Sequence, residues 1–97
     1  MARYIMLLNW TEQGLRGAKD SVKRAASARQ AFEKAGAHIR DAVWTIGPYD
    51  LVLSCDAPSD EVISALSIQL GQLGNVRTTT MRAFDEPEHF EFLKNLL

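Results

Sequence analysis

The sequence predicts an α+β domain with the element order β-α-β-β-α-β, two helices on one face of a four-stranded antiparallel sheet, and a short helix added at the C-terminus. Three observations predict it. Short apolar runs rich in strand formers alternate with longer stretches of three- and four-residue apolar spacing. Capping residues and glycines stand at the boundaries between these stretches. A Gly-Pro turn joins the two middle strand segments.

Residues Arg3 to Trp10 (RYIMLLNW) form an apolar run too short for a helix, and so a buried strand. Thr11-Glu12-Gln13-Gly14 reads as a polar break with a capping-type threonine. A helix follows from about Ser21 to Ala35, with Asp20 or Ser21 to cap it and Gly36 to stop it. Val22, Ala25, Ala26, Arg29, Phe32 and Ala35 fall on one of its faces. His38 to Ile46 and Leu51 to Cys55 are the second and third strands, joined by the turn Gly47-Pro48-Tyr49-Asp50, where Pro48 presets φ. Ser59 caps a second helix carrying the stripe Val62, Ile63, Leu66, Leu70 and Leu73; Gly71 and Gly74 loosen and end it. Val76 to Phe84 is a fourth strand, and Asp85-Glu86-Pro87 opens a C-terminal helix through Leu96 with Phe90, Leu93 and Leu97 on its apolar side. This order is ferredoxin-like, and right-handed crossovers put both long helices on the same side of the sheet.

The strand pattern then predicts which residues share a face. A four-residue turn pairs Ile46 with Leu51, Trp44 with Leu53 and Ala42 with Cys55, on the side of Tyr4, Met6 and Leu8. The other face holds Thr45 against Val52 and Val43 against Ser54, with Ile5, Leu7 and Met81. Both faces are apolar while helices cover only one, so a homodimer or larger homo-oligomer is expected to bury the second.

A single domain over residues 1–97 is expected. Hydrophobic residues at 46% and charged residues at 24% place the chain among folded globular proteins. A net charge of −1 gives no electrostatic footprint for nucleic acid or anionic membrane. No apolar run reaches membrane-spanning length, and Met-Ala-Arg-Tyr lacks the features of a signal peptide, so a cytoplasmic location is expected. The lone Cys55 excludes an intrachain disulfide; without a flanking base it reads as a buried structural thiol rather than a nucleophile.

Several residues are candidates for a site. Tyr49 beside Asp50 is a phenol–carboxylate pair able to orient a substrate or move a proton; the alternative is a turn in which Asp50 binds backbone amides. His38, expected on the same side as Arg40 and Trp44, is a candidate base. His89 reads as a surface residue in an acidic first turn. With two histidines and no ligand-spaced motif, no metal and no cofactor are expected. The hairpin register sets Asp41 opposite Asp56, and an Arg77–Asn9–Asp56–Asp41 row is either a ligand or interface contact or a set of solvated strand ends. Trp10, Trp44 and Tyr4, facing a helix rich in alanine (Ala25, Ala26, Ala28, Ala31, Ala35), either line a pocket for a planar apolar ligand or fill a solid core. Asn9, Trp10, Trp44 and Arg77 are the candidate ligand-binding residues; His38, Tyr49 and Asp50 are weaker catalytic ones.

The chain resembles the GYD-domain family of the dimeric α/β-barrel group. The resemblance rests on Tyr4-Ile5-Met6-Leu7-Leu8-Asn9-Trp10-Thr11-Glu12-Gln13-Gly14, on Trp44-Thr45-Ile46-Gly47-Pro48-Tyr49-Asp50, on Ala57-Pro58-Ser59-Asp60-Glu61, and on Leu73-Gly74-Asn75-Val76-Arg77-Thr78. The signature Gly, Tyr and Asp fall on Gly47, Tyr49 and Asp50, and the match runs from Tyr4 to about Phe84. It implies two ferredoxin-like subunits packed sheet to sheet, without implying an activity. The expected function is binding of a small, partly apolar molecule by a homo-oligomer. The alternatives are a cofactor-free oxygenase- or isomerase-like enzyme on a hydrophobic metabolite, and a purely structural assembly subunit.

Overall fold

A computed structural model of the protein describes residues 1–96. Its strands β1 (Ala2–Trp10), β2 (His38–Trp44), β3 (Leu51–Ala57) and β4 (Val76–Ala83) form one antiparallel sheet in the order β2-β3-β1-β4. The long helices α2 (Ser21–Lys34) and α3 (Asp60–Gln72) are the two crossovers, which gives the ferredoxin-like fold. A short helix α1 (Glu12–Arg16) follows β1, and α4 (Glu86–Leu93) follows β4. Leu97, expected on the apolar side of that last helix, lies outside the described residues.

β1 lies between β3 and β4 and is paired on both sides from Arg3 to Leu8. Tyr4, Met6 and Leu8 on one side of it are buried, in register with Cys55, Leu53 and Leu51 of β3. These residues, Phe32 of α2, and Ile63 and Leu66 of α3 make the core, so this is the face beneath the helices. The other face is left open, with Ile5, Leu7 and Val52 half-buried and Val43 and Met81 exposed.

The helix boundaries follow from local chemistry. The Ser59 hydroxyl accepts from the Val62 amide at 3.2 Å to start α3, and Gly74 ends the turn beyond it at φ 82°. Gly36, at φ 78°, ends α2: its amide donates to Glu33 O at 3.0 Å and that of Ala37 to Phe32 O at 2.9 Å, a Schellman stop. Asp85 and Glu88 form a capping box at the start of α4. The Phe84 and Phe92 rings then meet edge to face with centroids 5.3 Å apart.

The structure corrects several expectations. Thr11 to Gly14 is the start of a helix instead of a break, although Thr11 is the capping residue expected: it accepts from the Gly14 amide at 3.1 Å to begin α1. Neither Asp20 nor Ser21 caps α2, because a 3-10 turn, Ala18–Asp20, feeds straight into it and holds Asp20 near ψ 6°, away from the extended geometry a cap uses. The inward side of α2 is Ser21, Arg24, Ala25, Ala28, Ala31 and Phe32, whereas Val22, Ala26, Arg29 and Ala35 are exposed. The alanines permit either phase, and Phe32 against the core decides it.

The hairpin also differs. Its loop is Thr45–Asp50, so Leu51 pairs with Trp44 instead of Ile46, and Ala42 pairs with Leu53 instead of Cys55. Ile46 is fully exposed. A two-residue slip leaves the face assignment intact, because side chains alternate with period two. An irregularity between Ile39 and Asp41 then adds one residue, so Ile39 faces Cys55 and His38 faces Asp56. Asp41 therefore sits opposite Ser54, and the expected repulsion with Asp56 does not arise. Arg40 donates from Nε to Asp56 Oδ2 at 2.6 Å. His38 shares the side of Asp56 rather than that of Trp44, and its Nδ1 lies 2.8 Å from Glu33 Oε1. No Arg77–Asn9–Asp56–Asp41 row exists: Asn9 does pair with Arg77, but Asp56 pairs with Arg3 at the far end of β1.

Gly14 is the tightest point of the fold. A β-carbon there would stand 2.0 Å from Asn75 O, whereas at Gly71 in α3 it would meet nothing within 4 Å. Gly14→Ala should lower unfolding free energy by about 1–3 kcal/mol through overpacking. Gly71→Ala should raise it by roughly 0.5–1 kcal/mol by removing backbone freedom from the unfolded chain. Urea denaturation of the two variants measures both.

Candidate functional site

A cavity of about 440 Å³ lies between the helical layer and the sheet. Its floor is Leu8, Leu51, Leu53, Ala42 and Val76; Ala25, Ala28 and Ala31 of α2 form one wall, and Leu66 and Leu70 of α3 the other. Its origin is a difference in side-chain size. Three alanines in succession on the inward side of α2 fill little of the space beneath the helix, so the space over the centre of the sheet stays open.

One end of the cavity is polar, and it is built where α1 meets the α3–β4 turn. Trp10, Ser21, Arg24 and Asn75 line it. The Thr11 amide donates to Asn75 O at 3.1 Å, and the Thr11 hydroxyl donates to Gly74 O at 2.5 Å. Gln13 Nε2 donates to Asn75 Oδ1 at 3.0 Å. Arg24 Nη2 donates to Gly14 O at 3.2 Å and also to Gly17 O, which ties α2 to the last carbonyls of α1. Trp44 Nε1 donates to Ser21 Oγ at 2.7 Å, closing the same end from β2.

Of the four ligand-binding candidates, Trp10 lines this cavity. Trp44 touches it through Ser21, while Asn9 and Arg77 are a facing pair on the open side of the sheet. Tyr4 lies beneath the helices but away from the cavity, with its hydroxyl donating to Asp60 Oδ1. That bond and burial push the Tyr4 phenol up to about 12. Burial likewise pushes the Cys55 thiol up to about 11, so it is protonated at neutral pH. The lining residues that sequence patterns did not single out, Ser21, Arg24 and Asn75, belong to the inward phase of α2 and to the turn that Gly14 contacts. Ser21, Arg24, Ala25 and Ala28 do follow helical spacing, and that was the available signal.

The three catalytic candidates do not meet. His38 pairs with Glu33 at the start of β2, whereas Tyr49 and Asp50 sit in the hairpin loop at the strand's other end. The Asp50 carboxylate accepts from the Trp10 amide at 2.9 Å, while its own amide donates to Leu8 O at 2.9 Å. The loop is fastened further by Asn9 Nδ2 donating to Pro48 O at 2.7 Å and by Thr45 Oγ1 donating to Tyr49 O at 2.6 Å. Gly-Pro-Tyr-Asp thus docks the β2–β3 loop onto β1, through backbone groups and the Asp50 carboxylate. Among the described residues, no cluster of three or more His, Cys, Asp or Glu is placed to hold a metal ion. Among the same residues, no helix is long and apolar enough to cross a membrane.

The family model described as GYD domain matches residues 4–93. That span takes in α4, beyond the Phe84 limit of the motifs read from the sequence. No curated protein and no solved structure matches the chain.

Gly47 has φ 114°, a conformation that β-branched residues avoid, and a side chain added there would meet nothing within 4 Å. Gly47→Val should therefore cost about 1–3 kcal/mol through backbone strain alone. Tyr49→Phe should fall within about 0.5 kcal/mol of the parent, as surface changes usually do. Thermal melts of both variants measure the difference; equal losses would show that the phenol hydroxyl anchors the loop.

Proposed function

The chain belongs to the GYD-domain family, and from that premise we propose that it is a small-molecule binding protein that works as a homo-oligomer in the cytoplasm. The observation that carries the binding half is the cavity itself. At about 440 Å³, with an aliphatic floor and with polar and cationic side chains among its lining, it has the size and character of a ligand site. Binding is favoured over chemistry because His38, Tyr49 and Asp50 all lie outside it, and its lining holds no carboxylate, histidine or thiol to move a proton.

The oligomeric half is supported by the open sheet face. Ile5, Leu7, Val43, Val52 and Met81 make a continuous apolar surface that helices do not cover, and a second copy of the same surface would bury it. The buried single thiol of Cys55 suits a reducing compartment.

An apolar ligand that enters the cavity should quench Trp10 fluorescence saturably and raise the melting temperature. At a hundred times its dissociation constant it adds about 2.7 kcal/mol. Ala28→Leu should abolish that binding with little loss of stability, because the new side chain enters open space. If the space is in fact closed core, the same change destabilises by about 1–3 kcal/mol. A broad metabolite screen without thermal shifts, together with that destabilisation, would leave the assembly-subunit function in its place.

Sedimentation at micromolar concentration should give a dimer or larger species burying about 1,600 Å² or more in total. A stable monomer would remove the oligomeric half. Val43→Lys, on the open face, should shift the equilibrium toward monomer with no change in cavity binding.

A further inference from the structure

The polar end of the cavity has a definite hydrogen-bonding sense. Four side chains meet there: Trp10, Ser21, Arg24 and Asn75. The side-chain acceptors among them are already engaged. Ser21 Oγ accepts from Trp44 Nε1 at 2.7 Å, and Asn75 Oδ1 accepts from Gln13 Nε2 at 3.0 Å. Each of these oxygens already holds one donor, so what the group chiefly offers a ligand is donors: the Ser21 hydroxyl proton, the Asn75 amide, the Trp10 indole N–H and the guanidinium of Arg24.

Arg24 adds charge to this sense. Its Nη2 is committed to the carbonyls of Gly14 and Gly17, which are neutral, and no carboxylate among the described residues pairs with it. No aspartate or glutamate lines the cavity anywhere. A half-buried guanidinium held in place by two carbonyls keeps its Nε and Nη1 donors for another acceptor. Beyond this end the floor is aliphatic, and the lining also takes in Lys23, Ser27, Arg29 and Gln69 of the two helices, two of them cationic.

We infer that the cavity takes an amphipathic monocarboxylate, its apolar body lying over Leu8, Leu51 and Leu53 and its carboxylate accepting from Arg24, Ser21 and Asn75. This rests on the cavity being the ligand site proposed above. Charge-assisted bonds from several fixed donors select an anion over a neutral head of the same chain length, and the guanidinium rejects a cation.

The test compares decanoate, 1-decanol and decylammonium, titrated at pH 7 and constant ionic strength below their aggregation concentrations and followed by tryptophan fluorescence and calorimetry. Decanoate should bind roughly ten- to a hundredfold more tightly than decanol, with decylammonium weakest. Arg24→Met should bring decanoate down to the level of decanol, and Arg24→Lys should recover part of the difference. Because Arg24 also fastens α1, circular dichroism accompanies these variants; if they unfold, the ranking of the three heads on the unaltered protein decides. Decanol binding as tightly as decanoate, saturably and lost in Ala28→Leu, would overturn the carboxylate while leaving the cavity as a ligand site. Failure of all three compounds to saturate would take away both.

Discussion

The architecture depends on α2 being fixed at its ends and small in its middle. At its start, Arg24 reaches the carbonyls of α1 and Ser21 receives the Trp44 indole. At its finish, Phe32 is fully buried and the Gly36 stop closes the helix. Between these anchors stand Ala25, Ala28 and Ala31, whose side chains end at one carbon. A helix free at either end would settle onto the sheet and close the gap, since dispersion favours contact over empty space. With both ends held it cannot, and the cavity is what that constraint leaves. The same constraint makes its polar end: the groups that fasten α2 are the groups that line it.

A second dependence runs through β1. As an inner strand it supplies Tyr4, Met6 and Leu8 to the core and Ile5 and Leu7 to the open face, so its sequence is apolar nearly throughout. Its C-terminal end then carries three separate attachments within Asn9, Trp10 and Thr11. Asn9 holds the hairpin loop, the Trp10 amide receives Asp50, and Thr11 binds the α3–β4 turn. The Gly47-Pro48-Tyr49-Asp50 segment is therefore intelligible as a docking piece for this strand end. Gly47 supplies the left-handed backbone and Asp50 an acceptor for an amide that β3 does not pair.

What could be read in the sequence was what periodicity encodes. Strand and helix order, the caps at Ser59 and Asp85, the stops at Gly36 and Gly74, and the sheet faces away from the start of β2 follow from spacing and residue type. What could not be read was register. Nothing local distinguishes a turn over Gly47–Asp50 from a loop over Thr45–Asp50, because both keep Trp44 inward. Only the attachment of Asp50 and Pro48 to β1, forty residues away, fixes the longer loop. The bulge at Arg40 was equally hidden, since the pairing of Arg40 with Asp56 that accompanies it is tertiary. The site suffered most from this. Its polar end is assembled from Trp10, Ser21, Arg24 and Asn75, segments that touch only after α1 has closed against Asn75, and no window of sequence contains them together.

The buried thiol has a practical consequence. Cys55 sits on an inner strand beneath the helices with no exposed surface, its Sγ directed at Tyr4 O, and it is the only cysteine in the chain. While the sheet is intact, an alkylating reagent has neither access to the sulfur nor an appreciable thiolate population to attack. Modification therefore waits for the helical layer to part from the sheet or for the sheet itself to open, and its rate, followed by mass spectrometry without any engineered probe, is a clock for exposure of the core. One native atom thus reports how often the core between helices and sheet comes open.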